Sequence, residues 1–248
     1  QTVNGGWPWF QGYRESRYIT QQVVTGFGKL HYLKVIDLKK DAQLRQMVNQ
    51  AVNFLTNEML DDYKRNEQAR KLKEDPTRIS PIQIYYLFSL SYLDDVAEVP
   101  EKALQAIDYY SGMARNQWQE MGLGTQAMIG LWAGRSGDGK TAQAIIRSLR
   151  DKALYNEEMG LYWRDNVAGY SWYNAPVQTQ ALLIELFEEI ADDGKAADQM
   201  RTWLIKQKQV QAWPENTATA EAIYALLIRG TSWLQTSPGV IIKLGDKI

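Results

Sequence analysis

The chain has 248 residues and a formal net charge of −1, a balance that gives no electrostatic reason to expect nucleic acid as a partner. Hydrophobic residues make up 45% of it and charged residues 23%, which is typical of a globular protein and argues against disorder. The absence of Cys and the single His exclude disulfides, thiolate zinc sites, cysteine nucleophiles and multi-histidine metal sites.

In chain order, hydrophobic periodicity predicts helices of two alternating kinds, and strand alternation is scarce. Four have one broad polar face and are predicted to lie outside: Asp41 to Arg65, Glu101 to Gln119, Thr141 to Leu154 and Gly194 to Lys208. Five others are apolar on nearly all sides, which indicates burial, and they open at Thr20-Gln21, Ile82-Gln83, Thr125-Gln126, Thr179-Gln180 and Thr219-Ala220-Glu221. The polar residues that open the buried helices recur at irregular intervals along the chain. Such spacing is typical of helical hairpins packed side by side.

This alternation predicts an all-α fold, an α/α toroid of the terpenoid cyclase and prenyltransferase type, over residues 1–236. Five inner and four outer helices are too few for six pairs, so we expect a toroid that is incomplete at its N-terminus. Residues 237–248 contain Val240 to Leu244, which reads as a short strand leading to a following β domain. With no initial Met and no signal peptide, the chain is expected to be a piece of a longer protein, and no apolar run is long enough for direct membrane insertion.

Large rings stand just before several of the buried helices. We interpret these rings as plugs, each of which covers a helix end. The alternative interpretation is a platform on which sugars stack. The candidate surface at the starts of the inner helices comprises Trp7, Trp9, Trp163, Asp165, Trp172, Tyr173, Gln178, Gln180, Trp213 and Glu221.

The segment from Gly134 to Thr141 matches the phosphate-loop pattern G-x-x-x-x-G-K-[ST]. In a nucleotide-binding protein Lys140 would reach the outer phosphates and Thr141 would hold magnesium. A phosphate loop must follow a parallel strand, however, and the residues before Gly134 predict an inner helix. The favoured interpretation is a hairpin turn in which Asp138 caps the next helix.

Carboxylates near the aromatic loops leave a second function open. Asp165, Glu185, Glu215 and Glu221 could serve a glycosidase that works in an aromatic-lined bowl. Adjacent acidic pairs such as Glu188-Glu189 point apart on a helix, and capping and solvation at hairpin turns explain most of them. The single His31 is expected to cap or pack the first inner helix, so no catalytic constellation and no cofactor site is predicted.

Several segments resemble the helical thioester-type domain of bacterial alpha-2-macroglobulin family proteins. They are Gly5 to Phe10, Ser16 to Gln21, Thr25 to Gly28, Gly160 to Asn166, Trp172 to Glu185 and Ala218 to Leu227. The resemblance covers nearly the whole chain and implies a secreted or periplasmic, extracytoplasmic parent protein that traps or inhibits proteases. In that family a C-x-E-Q motif forms the thioester, and this chain has no Cys, so it resembles a member that lacks the thioester.

The resemblance therefore implies a non-catalytic domain. Its expected partners are neighbouring β domains of the parent chain and, for the parent protein, target proteases. The alternatives that stay open are a carbohydrate-active toroid enzyme and, third, a nucleotide binder at Gly134 to Thr141.

Overall fold

A computed structural model describes residues 1–72, 78–210 and 216–228. These ranges are predominantly helical, which confirms the all-α prediction. The α-helices are α1 (Arg17–Tyr32), α2 (Ala42–Lys71), α3 (Pro81–Leu90), α4 (Leu104–Gln117), α5 (Leu123–Arg135), α6 (Gly139–Lys152), α7 (Pro176–Glu189), α8 (Gly194–Val210) and α9 (Asn216–Leu227). One-turn 3-10 helices, Glu101–Ala103 and Trp118–Glu120, flank α4.

The odd-numbered helices coincide with the predicted buried segments and the even-numbered ones with the predicted outer segments. Each odd helix packs against the next odd helix, in the order α1, α3, α5, α7 and α9. Helices α3, α5 and α7 are buried on nearly all sides, as their sequences predicted. The same prediction is wrong for α1 and α9, which bury only part of their surface, because in the described part of the chain α1 packs mainly against one inner helix, α3, and α9 mainly against one, α7.

Local sequence explains where the helices start. Helix α3 begins with Pro81 at its first position, and the amide of Ser80 donates to Gln83 Oε1 at 2.9 Å in a capping box. Helix α6 begins after Asp138, whose side chain accepts a hydrogen bond from the amide of Thr141. Its buried face, at Ala142, Ile145, Ile146 and Leu149, recurs with helical spacing and packs against α5.

The repeated Gln at the start of the inner helices has a structural role. Gln21 Nε2 donates to the carbonyl of Ile82 at 3.0 Å, so that α1 is bonded to the start of α3. Gln180 Nε2 donates to the carbonyl of Leu161 at 2.9 Å and thereby joins α7 to the segment before it. A buried backbone carbonyl left without a donor would destabilise the fold, so these amides explain why a polar residue recurs at the start of an apolar helix.

One short sheet lies among the helices. Strands β1 (Leu154–Asn156) and β2 (Gly160–Tyr162) pair antiparallel between α6 and α7, where the sequence analysis expected only a loop. Gly160 has φ +72°, and a Cβ built there would lie 2.1 Å from the carbonyl oxygen of Gln199 in α8. The hairpin therefore depends on a glycine that lets two backbones approach closely.

The predicted boundary at 236 and the strand from Val240 to Leu244 lie outside the described residues. No helix in the described ranges is both long and apolar enough to cross a membrane.

Candidate functional site

The N-terminal ends of inner helices lie beside one another. Gln21 in α1 donates to Ile82 at the start of α3, and Gln178 at the start of α7 contacts Thr217 at the start of α9. A concave surface of about 1220 Å³ opens there, and we call it the aromatic bowl. Its wall consists of Trp9, Tyr18, residues 166–178, Trp203 and Gln207.

Four of the rings that line the bowl are connected by ring contacts. Trp9 lies on Tyr18 with ring centroids 5.9 Å apart, and Tyr18 contacts Trp172 at 5.1 Å. Tyr85 from α3 completes a triangle, 5.3 Å from Trp172 and 6.5 Å from Tyr18. Tyr173 stands at 84° to Trp172, so these two rings form a floor and a wall. Such offset and edge-on contacts are favourable beyond the area that they bury.

The polar groups of the bowl are uncharged. Among the described residues that line it, none is acidic or basic, and the amides of Asn166, Asn174, Gln178 and Gln207 supply its hydrogen-bonding capacity. Gln178 Nε2 makes a 3.4 Å contact with Thr217 Oγ1. The side chains of Asn174 and Gln207 have no hydrogen-bond partner within the described ranges, so both can accept one from outside.

Beneath the bowl a narrow slot of about 50 Å³ leads inward between the inner helices. Lys29 and Glu221 line it together with Tyr18, Tyr85 and Trp172. Lys29 Nζ forms an ion pair with Glu221 Oε2 and lies 4.4 Å from the ring centroid of Tyr224. The slot therefore ends at an ion pair that joins α1 to α9.

The slot adjoins a buried charged cluster, which we define as Lys29, Arg135, Glu185, Glu189 and Glu221. Glu185 is fully buried at its centre, with Oε2 at 3.6 Å from Lys29 Nζ. Arg135 Nη2 donates to Glu185 Oε1 and to Glu189 Oε2, each at 2.6 Å. Four inner helices, α1, α5, α7 and α9, thus meet through ion pairs rather than through apolar contact alone.

Two tyrosines complete the surroundings of Glu185. The hydroxyl of Tyr92 donates to Glu185 Oε1, and the ring of Tyr92 lies 3.8 Å below the Arg135 guanidinium. The Tyr224 hydroxyl lies 3.4 Å from the same carboxylate oxygen. Burial raises the pKa of both phenols, and the nearby Glu185 charge raises it further, so they stay protonated donors.

Burial alone would raise the pKa of Glu185. The charges of Lys29 and Arg135 and the hydrogen bonds from Tyr92 and Arg135 outweigh it, and the pKa lies below its ordinary value. The carboxylate is therefore ionised, which does not suit a proton donor. Its hydrogen bonds all go to Oε1, and Oε2 is buried with no hydrogen bond and with Lys29 Nζ at 3.6 Å.

The structure brings only part of the predicted candidate surface together. Trp9, Trp172, Tyr173 and Gln178 line the bowl, and Glu221 lies in the slot beneath it. Asp165 is exposed and does not line the bowl. Trp213 and the alternative carboxylate Glu215 lie outside the described residues.

The other three candidates lie in structural positions. Trp163 is 3% exposed and its Nε1 donates to the carbonyl of Leu149 at 2.8 Å, as expected of a ring that plugs the core. Gln180 is fully buried and bonded to backbone carbonyls. The amide of Trp7 donates to Thr20 Oγ1 at 2.8 Å, which fastens the N-terminal segment to α1.

The segment that matches a phosphate loop joins α5 to α6 and follows a helix. Asp138 Oδ2 accepts from Thr141 Oγ1 at 2.8 Å, and Asp138 Oδ1 accepts from the Thr141 amide at 3.1 Å. The hydroxyl that would hold magnesium is thus part of a helix cap. This geometry supports the hairpin-turn interpretation.

Sequence reasoning missed Tyr18, Tyr85 and the charged cluster as a unit. A signal was present, because Lys29, Arg135 and Glu185 are charges within predominantly apolar helices, and buried charges need partners. The sequence analysis explained most adjacent acidic pairs by capping and solvation. Glu188-Glu189 is an exception, since Glu189 binds Arg135 and Glu188 lies 2.9 Å from Arg201, both largely buried arginines.

His31 lies in the last turn of α1, where its Nδ1 accepts a 3.3 Å hydrogen bond from the amide of Leu38. This is the packing role expected of it. The described residues contain no group of three or more His, Cys, Asp or Glu side chains that could hold a metal ion. Comparison of the chain with protein-family models and with curated proteins gave no match.

Proposed function

We propose that the chain is a non-catalytic α/α toroid domain of a bacterial alpha-2-macroglobulin-like protein that lacks the thioester. In this proposal the parent protein is extracytoplasmic, the domain packs against neighbouring β domains, and the whole assembly traps or inhibits proteases. Inhibition is steric and conformational, and cleavage of the bait occurs elsewhere in the parent chain.

The observation that carries the non-catalytic part is the pairing of the interior charges. Glu185 and Glu221 share Lys29, and Arg135 binds Glu185, so these groups neutralise one another. Catalytic acids and bases need a pKa close to the working pH, and Glu185 has its pKa moved the other way. This arrangement supports a structural role for the cluster and gives no support to a glycosidase that uses these carboxylates.

An exposed aromatic surface supports the packing of the domain against a neighbour. Phe10 is 69% exposed, Tyr13 is 70% exposed, and the two rings contact each other at 6.0 Å; Val3 on the same segment is fully exposed. Grouped exposed apolar side chains are typical of surfaces that another protein covers. In the proposal, a β domain of the parent chain covers this one.

The trapping function is tested by an inhibition assay on the parent protein. It is incubated with a protease, and residual activity is measured on a large protein substrate and on a small chromogenic peptide. Trapping predicts that cleavage of the large substrate is lost while the small peptide is still cleaved. Equal inhibition of both, or of neither, would contradict it, and a parent protein whose bait has been cut beforehand is the control.

A further inference from the structure

We infer that the aromatic bowl is a binding site for a neutral oligosaccharide, which it holds without cleaving. The inference is independent of protease trapping and concerns a surface to which that function assigns no ligand.

The first step concerns the rings that a ligand can reach. Trp9 is 60% exposed although it is stacked on Tyr18, and Tyr170, which also lines the bowl, is fully exposed. Trp172 and Tyr173 are partly exposed. Exposed rings held by other rings present flat, rigid apolar faces at low entropic cost. Such faces match the C–H faces of pyranose sugars.

The contacts between the inner rings leave little room for a ligand below them. Tyr18, Tyr85 and Trp172 lie 5.1–6.5 Å apart, which is contact distance between rings. The slot that they line holds only about 50 Å³, and the ion pair of Lys29 and Glu221 stands in it. A ligand therefore lies on the bowl and does not enter the slot.

The polar lining decides the chemistry of the ligand. Carboxamides carry a donor and an acceptor on one group, as each sugar hydroxyl also does, and four of them line the bowl. Those of Asn174 and Gln207 have no partner among the described residues. With no charged side chain among the described residues of the wall, an anionic or cationic ligand would lose its hydration and gain no counter-charge from them. The wall thus favours a neutral, hydroxyl-rich ligand.

The size of the bowl sets the length of the ligand. Its volume of about 1220 Å³ exceeds the roughly 300–1000 Å³ of pockets that enclose drug-sized molecules. A single sugar ring would leave most of it empty, so the bowl suits an oligosaccharide of several units.

The test is calorimetric titration of the 248-residue chain with neutral hexasaccharides of glucose, xylose, mannose and N-acetylglucosamine. At least one is expected to bind with a Kd in the micromolar to millimolar range. Because a ring contact contributes about 0.5–1.5 kcal/mol, Trp9→Ala should weaken binding roughly twofold to tenfold, and Gln207→Ala should also weaken it. Phe10→Ala is the matched control, since Phe10 is an exposed ring of the same segment that does not line the bowl.

Titrations at different ionic strengths and with a proline-rich peptide distinguish a neutral oligosaccharide from other ligands. Binding should be insensitive to ionic strength, because the ligand is neutral and the described part of the wall carries no charge. A proline-rich peptide that binds while all hexasaccharides fail would reassign the bowl to peptide recognition and overturn the inference. Absence of hexasaccharide binding at millimolar concentration, or equal loss in Phe10→Ala and Trp9→Ala, would overturn it as well. Circular dichroism of each variant establishes that it is folded.

Discussion

At the scale of single residues, Glu185 shows how a charge can be stable in an apolar interior. Its carboxylate is fully buried, yet Lys29, Arg135 and Tyr92 surround it. Taking such a group out of water is costly, and only well-placed partners offset that cost. Each cation also has a second carboxylate, Glu221 for Lys29 and Glu189 for Arg135. Loss of Glu185 therefore removes one of two anionic partners from each cation and the acceptor of the Tyr92 hydroxyl.

Substitution of this residue tests that dependence. Glu185→Gln keeps the shape and removes the charge but leaves each cation a second carboxylate, so we expect the free energy of unfolding to fall by about 1.5–3 kcal/mol, as for a lost hydrogen bond to a charged group. Urea denaturation followed by circular dichroism measures it. The control is Glu157→Gln at an exposed position, which should stay within about 0.5 kcal/mol of the parent chain. Equal effects of the two changes would contradict the role given to Glu185.

The same carboxylate predicts how stability depends on pH. Its pKa in the folded chain lies below the ordinary 4.5, so the folded state holds this proton less tightly than the unfolded state does. Its contribution to stability is therefore complete above pH 4.5 and is lost as the pH falls through the folded pKa. The Tm should decrease from about pH 5 to about pH 3, and less steeply in Glu185→Gln. Some decrease should remain in the variant, because the Asp62 pKa is also lowered: burial raises it, but Arg17 and Gln83 outweigh burial.

Two glycines with similar backbone angles allow a matched comparison. Gly160 has φ +72° and lies against the backbone of α8, whereas Gly137 has φ +82° with nothing near a built Cβ. Gly137→Ala should cost only the conformational strain, about 1–2 kcal/mol. Gly160→Ala adds a clash with the Gln199 carbonyl, so its loss of unfolding free energy should be clearly larger. Thermal melts of both variants measure the difference. Equal losses of unfolding free energy would show that α8 can move away from the new side chain without cost.

At the scale of elements, the turn between α5 and α6 shows that a motif has meaning only in its structural context. Asp138 caps α6 through two bonds to Thr141, and Arg115 Nε binds the same carboxylate at 2.9 Å. A loop of this kind stabilises a helix start and leaves no free magnesium ligand at Thr141.

A pair of substitutions distinguishes the cap from a phosphate loop. Asp138→Ala should lower the free energy of unfolding by about 0.5–2 kcal/mol through loss of the cap. Lys140→Ala should leave stability nearly unchanged, and titration of the parent chain with ATP or GTP and magnesium should give no heat. Nucleotide binding that Lys140→Ala abolishes would contradict the hairpin-turn interpretation.

At the scale of the whole molecule, Lys29 connects distant parts of the chain. It joins α1 to α7 through Glu185 and to α9 through Glu221. Helix α9 is only partly buried, so this ion pair is a substantial part of what holds it against α1.

Hydrogen exchange tests the role of Lys29. Lys29→Met should reduce amide protection in α1 and α9, and leave the outer helices α4 and α6 nearly unchanged, because local opening follows the contacts that are lost. Lys39→Met is the control: Lys39 is 56% exposed and pairs with Asp95 at the surface, where an ion pair contributes at most about 1 kcal/mol. Uniform loss of protection across all helices, or none in α9, would contradict a local connection.

The sequence alone determined the helices and their alternation. Periodicity, capping residues such as Asp138 and the Gln that opens four of the five apolar runs are local signals, and they identified the α-helices found in the described part of the chain. The burial of Trp163 as a ring plug was also predictable, because a large ring before a buried helix is expected to cover the end of that helix.

Only the tertiary structure decided which distant residues meet. Lys29, Arg135 and Glu185 come from three helices that are far apart in the chain, and nothing local indicates that one carboxylate binds both cations. In the sequence, Tyr18 and Tyr85 do not differ from other helix residues. Tertiary packing places both rings against Trp172. The reason is physical: secondary structure follows from short-range periodicity, whereas a bowl or an ion cluster requires side chains within a few ångströms of one another, and packing alone sets those distances.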